Sequence, residues 1–341
     1  MKPLYDASLD AEGEITIEGA NFYPSRILKE LEIETYNLGF SDWWSERKAS
    51  LLENAERILA MYDNRARFER LKRAYTAGNV VPFIGAGMSM PSGYPGWTQF
   101  LWNLRSESRI TELALEELLN DGDYEEAAQI LYSDSPASFD ESFINHFTQQ
   151  LPITGPVQYI SKLFSGSIIT TNVDDVLKRV FEQLDQRFET EMFGDDADEF
   201  LTVQGNGNRI LLLLHGQAGR AQHRVIIKAE YDRVYNDPTT AQRLIKDVLF
   251  HKPLLFMGCS LQFDRWQKEM SQFMASLTAT PRHQAPVQHF AFLETRAADD
   301  RVARRQQLAQ SNIFPIWYPE GEHDEAIESL LLKLSEGVVD L

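Results

Sequence analysis

From Val80 onward the chain alternates short apolar runs with amphipathic stretches. The runs are VVPFIG (80–85), SIITT (167–171), RILLLLHG (209–216), RVIIKA (224–229), PLLFMG (253–258), HFAFLE (289–294) and IFPIWY (313–318). Several are apolar at every position, as a parallel strand covered by helices on both faces requires. Between them VDDVLKRVFEQL, PTTAQRLIKDVLF, FDRWQKEMSQFMASL, RAADDRVARRQQLAQ and DEAIESLLLKLSE carry helical spacing. The alternation predicts an α/β fold: a doubly wound, Rossmann-like parallel sheet. Residues 99–156 interrupt it; ITELALEELLNDG, DYEEAAQILYSD and ASFDESFINHFTQQL read as a helical insertion.

Residues 1–78 carry a different pattern. After EITIEG they read as three helices, PSRILKEL, SDWWSERKASLLENAERILAMY and ARFERLKRAYTAGN. Ser41 can cap the second, and Gly78-Asn79 stops the third. The division expected is an N-terminal helical extension, 1–78, followed by a catalytic or binding domain, 79–341. Trp43 and Trp44 fall at the predicted start of the second helix. They pack the extension onto the main domain or meet another molecule, where Trp is enriched.

Composition narrows the function classes. Of 341 residues, 43% are hydrophobic and 25% charged, and the formal charge is −18. That field repels phosphate backbones, so direct nucleic-acid binding is not expected. Cys259 is the single cysteine, and the seven histidines show no HxxxH or HExxH spacing, so neither a disulfide nor a metal site is expected. No apolar run reaches the ~18 residues needed to span a membrane. MKPLYDASLDAEGEITIEG lacks a signal-peptide core, and the expected location is cytoplasmic.

In this fold class ligands bind at the carboxyl ends of the strands, so the polar residues there need an account. The first end is Gly85-Ala86-Gly87-Met88-Ser89, where glycines let the backbone approach a pyrophosphate; it is not a full GxGxxG. The second is Thr170-Thr171-Asn172-Val173-Asp174. Asn172 and Asp174 serve either as helix caps or as ligands to a ribose or a water. The third is His215-Gly216, a core histidine or a general base. The fourth is Gly258-Cys259-Ser260-Leu261, with Asp264 beyond it, which permits close ligand approach or starts another capped helix.

Taken in order, GAG-x-S, TN-x-D, HG and G-x-SL resemble the sirtuin (SIR2) catalytic domain over about residues 72–336. Two departures matter. The four-cysteine zinc module of deacylating sirtuins is absent, and PSGYPGWTQFL, with Pro95 and Trp97, stands where their Asp-Phe-Arg loop begins. These departures, VIIKAEYDRVY and the late IFPIWYPEGEHDEAIESLLLKL are similar to the zinc-free sirtuin-like branch of bacterial anti-phage systems: Thoeris, defence-associated sirtuins, short Argonaute systems and HerA-ATPase systems. The resemblance implies NAD as substrate, no metal, and hydrolysis to nicotinamide and ADP-ribose that depletes the cell.

On that resemblance, Asn172 positions a water or ribose, His215 is the base, and Asp174 contacts the nicotinamide side or holds Asn172. Gly85, Ala86, Gly87 and Ser89 line the pyrophosphate, Pro95 and Trp97 the nicotinamide loop, and Thr171 and Gly216 the adjoining turns. Gly258, Ser260 and Leu261 line the adenosine, and Glu294 either meets its ribose hydroxyls or is a surface strand end. His323 reads as the entry turn of the last helix, and Cys259 as a small strand-end residue. Restraint of such an enzyme implies a homo-oligomer, a partner such as a HerA-type ATPase or short Argonaute, or both. The competing reading is a non-catalytic NAD or ADP-ribose sensor that regulates a partner.

Overall fold

A computed structural model describes residues 2–194, 208–235, 252–261, 287–297 and 300–339, with short pieces within 200–203 and 268–274. Seven parallel strands form the main sheet: β3 (Val81–Ile84), β4 (Ile168–Thr170), β5 (Thr190–Phe193), β6 (Ile210–Leu213), β7 (Leu254–Met257), β8 (His289–Glu294) and β9 (Ile313–Tyr318). Their order is β5-β6-β4-β3-β7-β8-β9. The chain builds outward from β3 to one side and then crosses to β7 on the other. The crevice where the order reverses therefore lies at the carboxyl ends of β3, β4 and β7.

Alternate residues of each strand enter different cores. Ile84, Ile168, Leu211, Leu213, Leu255 and Met257 pack on one face, and Phe83, Ile169, Leu212, Leu254 and Phe256 on the other. Burial on both faces explains why these strands read as unbroken apolar runs. The insertion folds as helices Trp97–Leu104, Glu112–Asn120, Tyr124–Asp134 and Pro136–Phe147, the second capped by Thr111 Oγ1 accepting from the Ala114 N–H at 3.2 Å.

The amino-terminal segment starts with a helix, Lys2–Leu9, followed by a hairpin, β1 (Ile15–Ile17) and β2 (Ala20–Phe22), turned by Glu18 and Gly19, both at positive φ. Its long helix then closes one side of the sheet. Arg47 pairs with buried Glu328 of the final helix, His323–Ser335, and Asn54 Nδ2 donates to Ser329 Oγ at 3.1 Å. The outer edge of β9 would otherwise present open peptide groups. Asn64 covers it as a neighbouring strand would, accepting from the Trp317 N–H at 2.9 Å and donating to the Trp317 carbonyl at 2.7 Å; Arg67 donates to the Pro315 carbonyl at 2.6 Å. Pro315 fits such an edge, having no N–H to leave unpaired.

Three sequence expectations need correction. The long helix runs Ile33–Leu59, so Ser41 is not a cap and Trp43 and Trp44 lie inside it. Gly39 costs helix propensity, about 1 kcal/mol, yet the helix continues because Tyr5 packs there; a Cβ on Gly39 would lie 2.3 Å from the Tyr5 hydroxyl oxygen. Trp43 packs on Tyr5, with ring centroids 5.5 Å apart, and Trp44 packs partly buried against the main core. By contrast, Gly78 ends helix Asn64–Thr76 as expected: its N–H reaches the Tyr75 carbonyl, and the Asn79 N–H reaches that of Ala74.

RVIIKA is not a strand. Val225–Ile227 are buried outside the sheet, and a helix starts at Lys228. Glu230 Oε2 accepts from the N–H groups of Ile226 and Ile227 at 2.9 and 3.2 Å, so these donors need no neighbouring strand. Edge strand β5, TEMF, escaped the pattern because Thr190 and Glu191 are only half-buried. PTTAQRLIKDVLF, Asp264 and the core of the acidic loop FGDDADEF lie outside the described residues. Among the described residues no helix is long and apolar enough to cross a membrane, and no His, Cys, Asp and Glu group could hold a metal.

Candidate functional site

The glycine turn after β3 seats directly on the turn after β7. Gly87 N–H donates to the Gly258 carbonyl at 2.9 Å. A Cβ on Gly85 would stand 2.5 Å from the Gly258 oxygen, and one on Gly87 2.9 Å from Gly258 Cα. These glycines allow one backbone turn to touch another. The N–H groups of Gly85, Gly87, Met88 and Ser89 are all engaged in this packing, with the carbonyls of Met257, Gly258, Gly85 and Ala86. Any anion at the turn must therefore draw on other donors as well.

Asn172 closes the same turn from β4. Its N–H bonds to Thr170 Oγ1 at 3.0 Å, while Nδ2 donates to the Gly85 carbonyl at 3.1 Å and to Ser89 Oγ at 3.0 Å. The carbonyl partner fixes the amide orientation, since only a donor can face it. Oδ1 is then left buried with no partner among the described residues. The Thr171 N–H bonds to the Ile84 carbonyl at 3.2 Å, tying the β4 end to β3.

Asp174 is buried behind Asn172. Its Oδ1 accepts from the Val176 N–H at 3.0 Å, and Ser89 lies nearby. Burial outweighs these contacts and pushes the carboxyl up to about 6. Asp174 thus takes the first free N–H of the following helix, which is the capping role among those that its sequence position left open.

His215 follows β6, next to β4 in the sheet. The Leu214 N–H bonds to the Thr170 carbonyl, and that of Ala218 to the Val173 carbonyl, both at 2.9 Å, so the two turns are tied to each other. Gly216 has φ +76°, and a Cβ there would lie 2.0 Å from the His223 carbonyl oxygen; only glycine fits. Burial lowers the His215 imidazole to about 4, so at neutral pH the ring carries one N–H and one lone pair. Beside the two turns opens a cavity lined by Thr148, Val173, Asp175, Gln217 and Arg220.

The other predicted residues lie further out. Ser260 is exposed, and Leu261 is buried with φ +50°, an uncommon conformation for leucine. The Arg304 guanidinium ties this turn to β8, donating to the Ser260 carbonyl at 2.7 Å and the Glu294 carbonyl at 3.3 Å. The Glu294 carboxylate accepts from the Gly321 N–H at 2.9 Å and pairs with Arg296, so it anchors the turn before the final helix. Pro95 and Trp97 begin the insertion, where the Trp97 ring stacks on Phe100 at 5.4 Å. Cys259 Sγ lies 3.6 Å from the Met257 carbonyl.

One neighbour of the glycine turn lay hidden in the sequence. His323 Nε2 is 2.8 Å from where a Gly87 Cβ would stand, and its Nδ1 faces Asp324 Oδ1 at 2.9 Å. Its position at a helix start, 236 residues after Gly87, gives no local signal.

Residues 166–316 match the SIR2-like domain family, a span that holds Asn172, Asp174, His215 and Gly258 but not the Gly85–Ser89 turn. The chain is similar to the NAD(+) hydrolase ThsA of Enterococcus faecium, 24% identical over 203 residues, which is 58% of this chain and 40% of that protein. It is 23% identical over 208 residues to ThsA of Cytobacillus dafuensis, covering 61% of this chain and 40% of the relative. ThsA of Bacillus cereus (strain MSX-D12) is 20% identical over 185 residues, 53% of this chain and 37% of the relative. The similarity therefore spans about two fifths of these relatives' length. Over residues 166–316 the chain is thus similar to the SIR2-like domain family, and its sheet order and the crevice at the reversal point are compatible with that similarity.

Proposed function

We propose that the chain is an NAD hydrolase that cleaves the nicotinamide–ribose bond and depletes NAD as an effector of bacterial anti-phage defence. The observation that carries this reading is Asn172: a buried amide at the switch point whose only open atom is an acceptor. The relatives named as NAD(+) hydrolases support it.

Cleavage consumes NAD and water and gives nicotinamide, ADP-ribose and a proton. The ring nitrogen is cationic in the substrate, so nicotinamide departs neutral without a strong acid, and the ribose carbon becomes oxocarbenium-like. Asn172 Oδ1 accepts a hydrogen bond from the attacking water or a ribose hydroxyl. His215, neutral at physiological pH, offers its lone pair to the hydroxyl that loses its proton. A base placed in this way is worth about 10²–10⁴-fold. A group near 4 draws the proton only weakly, so His215 acts chiefly by orienting that hydroxyl and taking its proton late. Asp174 and Ser89 hold the Asn172 side of the crevice.

A hydrolase of this kind needs restraint. We assign that to self-association or to a partner such as a HerA-type ATPase or short Argonaute. The test is incubation of purified full chain with NAD, alone and with the product of the neighbouring gene, while nicotinamide and ADP-ribose are followed by chromatography. Release that disappears in Asn172→Ala is expected. Binding without turnover in every assembly would replace this reading with that of an NAD sensor.

A further inference from the structure

Tyr231 and Tyr235 stand one turn apart on helix Lys228–Tyr235, their rings stacked with centroids 5.8 Å apart. The Tyr231 hydroxyl lies 3.4 Å from His215 Nδ1 and the Tyr235 hydroxyl 3.5 Å from Nε2. The Tyr231 ring also meets the imidazole edge-on at 5.1 Å. Both ring nitrogens thus face a phenol from a single helix.

A neutral imidazole offers one donor and one acceptor, so this pair satisfies it only when one hydroxyl accepts the N–H and the other donates to the lone pair. We infer that Tyr231 and Tyr235 are positioning residues that set the tautomer and ring orientation of His215. The inference rests on the reading of His215 as the acceptor in NAD cleavage. The distances are at the long end of hydrogen bonding, as is common before substrate tightens a site. The hydroxyl on the lone pair occupies the place that a substrate hydroxyl takes.

The helix that carries the tyrosines is moored to the helical insertion. Lys228 Nζ pairs with Glu126 at 2.5 Å, and the Ala229 N–H donates to Gln129 Oε1 at 3.1 Å. Buried Arg224 pairs with Glu230 at 2.9 Å and with Asp140, while its guanidinium lies over the rings of Tyr132, Phe139 and Phe143. The insertion therefore sets where the two hydroxyls stand relative to His215. A shift of the insertion on assembly would be transmitted to the imidazole.

The test uses the full chain labelled with ¹⁵N-histidine, with the His215 signals assigned by His215→Gln. One neutral tautomer is expected at pH 7. Tyr231→Phe or Tyr235→Phe, each keeping its ring, should mix the tautomers, and the variant that removes the hydroxyl accepting the imidazole N–H should lower kcat at least about tenfold with KM within about twofold, as loss of an orienting partner does. His215 signals unchanged in both variants overturn the inference. If a variant fails to fold, fluorotyrosine incorporation, which acidifies both hydroxyls, should shift His215 more than the other histidines, and an unmoved His215 overturns it. If the wild type releases no nicotinamide, the hydrolase reading fails while the tautomer signals still decide the role of the tyrosines.

Discussion

Asn172 donates through its amide to the Gly85 carbonyl and to Ser89 Oγ, and this fixes its Oδ1 as a buried acceptor with no partner among the described residues. Two effects of Asn172→Ala follow and are separable. Nicotinamide release should be lost, because the open acceptor is gone. Stability should fall by about 1–3 kcal/mol, because the buried Gly85 carbonyl and Ser89 lose a donor. Thermal unfolding reads the second effect without substrate. An unchanged melting temperature would mean that Asn172 does not hold the turn.

Asp174 supplies a pH dependence. Its carboxyl is raised from 3.8 to about 6 in the folded state by burial. A raised carboxyl binds its proton more tightly when folded, so its contribution to stability is fully present below pH 3.8 and is lost as pH rises through about 6. The difference amounts to about 3 kcal/mol at one pKa unit per 1.36 kcal/mol. Asp174→Asn should therefore gain stability over the wild type as pH rises from 4 to 7, measured by urea unfolding at both ends. A stability difference that stays constant across this range would contradict the burial of an ionising group there.

Gly216 is the position least open to change. Gly216→Ala places a Cβ 2.0 Å from the His223 carbonyl oxygen at φ +76°. The left-handed backbone alone costs about 1–2 kcal/mol, and relief of the clash must move the backbone that holds His215. The variant should melt lower and lose cleavage, whereas Gly219→Ala, where nothing lies within 4 Å, should leave both close to wild type. Circular-dichroism melting together with NAD turnover on the two variants checks this.

The parts legible in sequence are those that burial writes into neighbouring residues. PLLFMG and IFPIWY read as strands because both faces of β7 and β9 are covered, and Asn172, His215 and Gly258 stand out because polar or small residues end apolar runs. RVIIKA misled for the same reason: its apolar side chains are buried, but Glu230 and not a strand satisfies their backbone. Tyr231, Tyr235 and His323 were illegible as site residues. Their roles come from segments that meet only through the sheet, and a tyrosine pair at helical spacing looks the same whether it packs or orients.

Asp140 and Arg224 couple the insertion to the site by an ion pair buried only on the Arg224 side, and removal of one partner has a defined cost. Arg224 is buried, with Glu230 and Asp140 as partners and three aromatic rings around its guanidinium. Arg224→Ala leaves the Glu230 carboxylate facing the Ile226 and Ile227 N–H groups without its counter-charge, and it opens a cavity among the rings. A loss of about 3–5 kcal/mol is expected. Asp140→Asn, at a half-exposed carboxylate, should cost about 1 kcal/mol or less, because water reaches that side of the pair. Urea unfolding of the two variants should therefore separate them several-fold. Equal losses would mean that Arg224 is held by Asp140 alone and that the insertion does not communicate with helix Lys228–Tyr235 through Glu230.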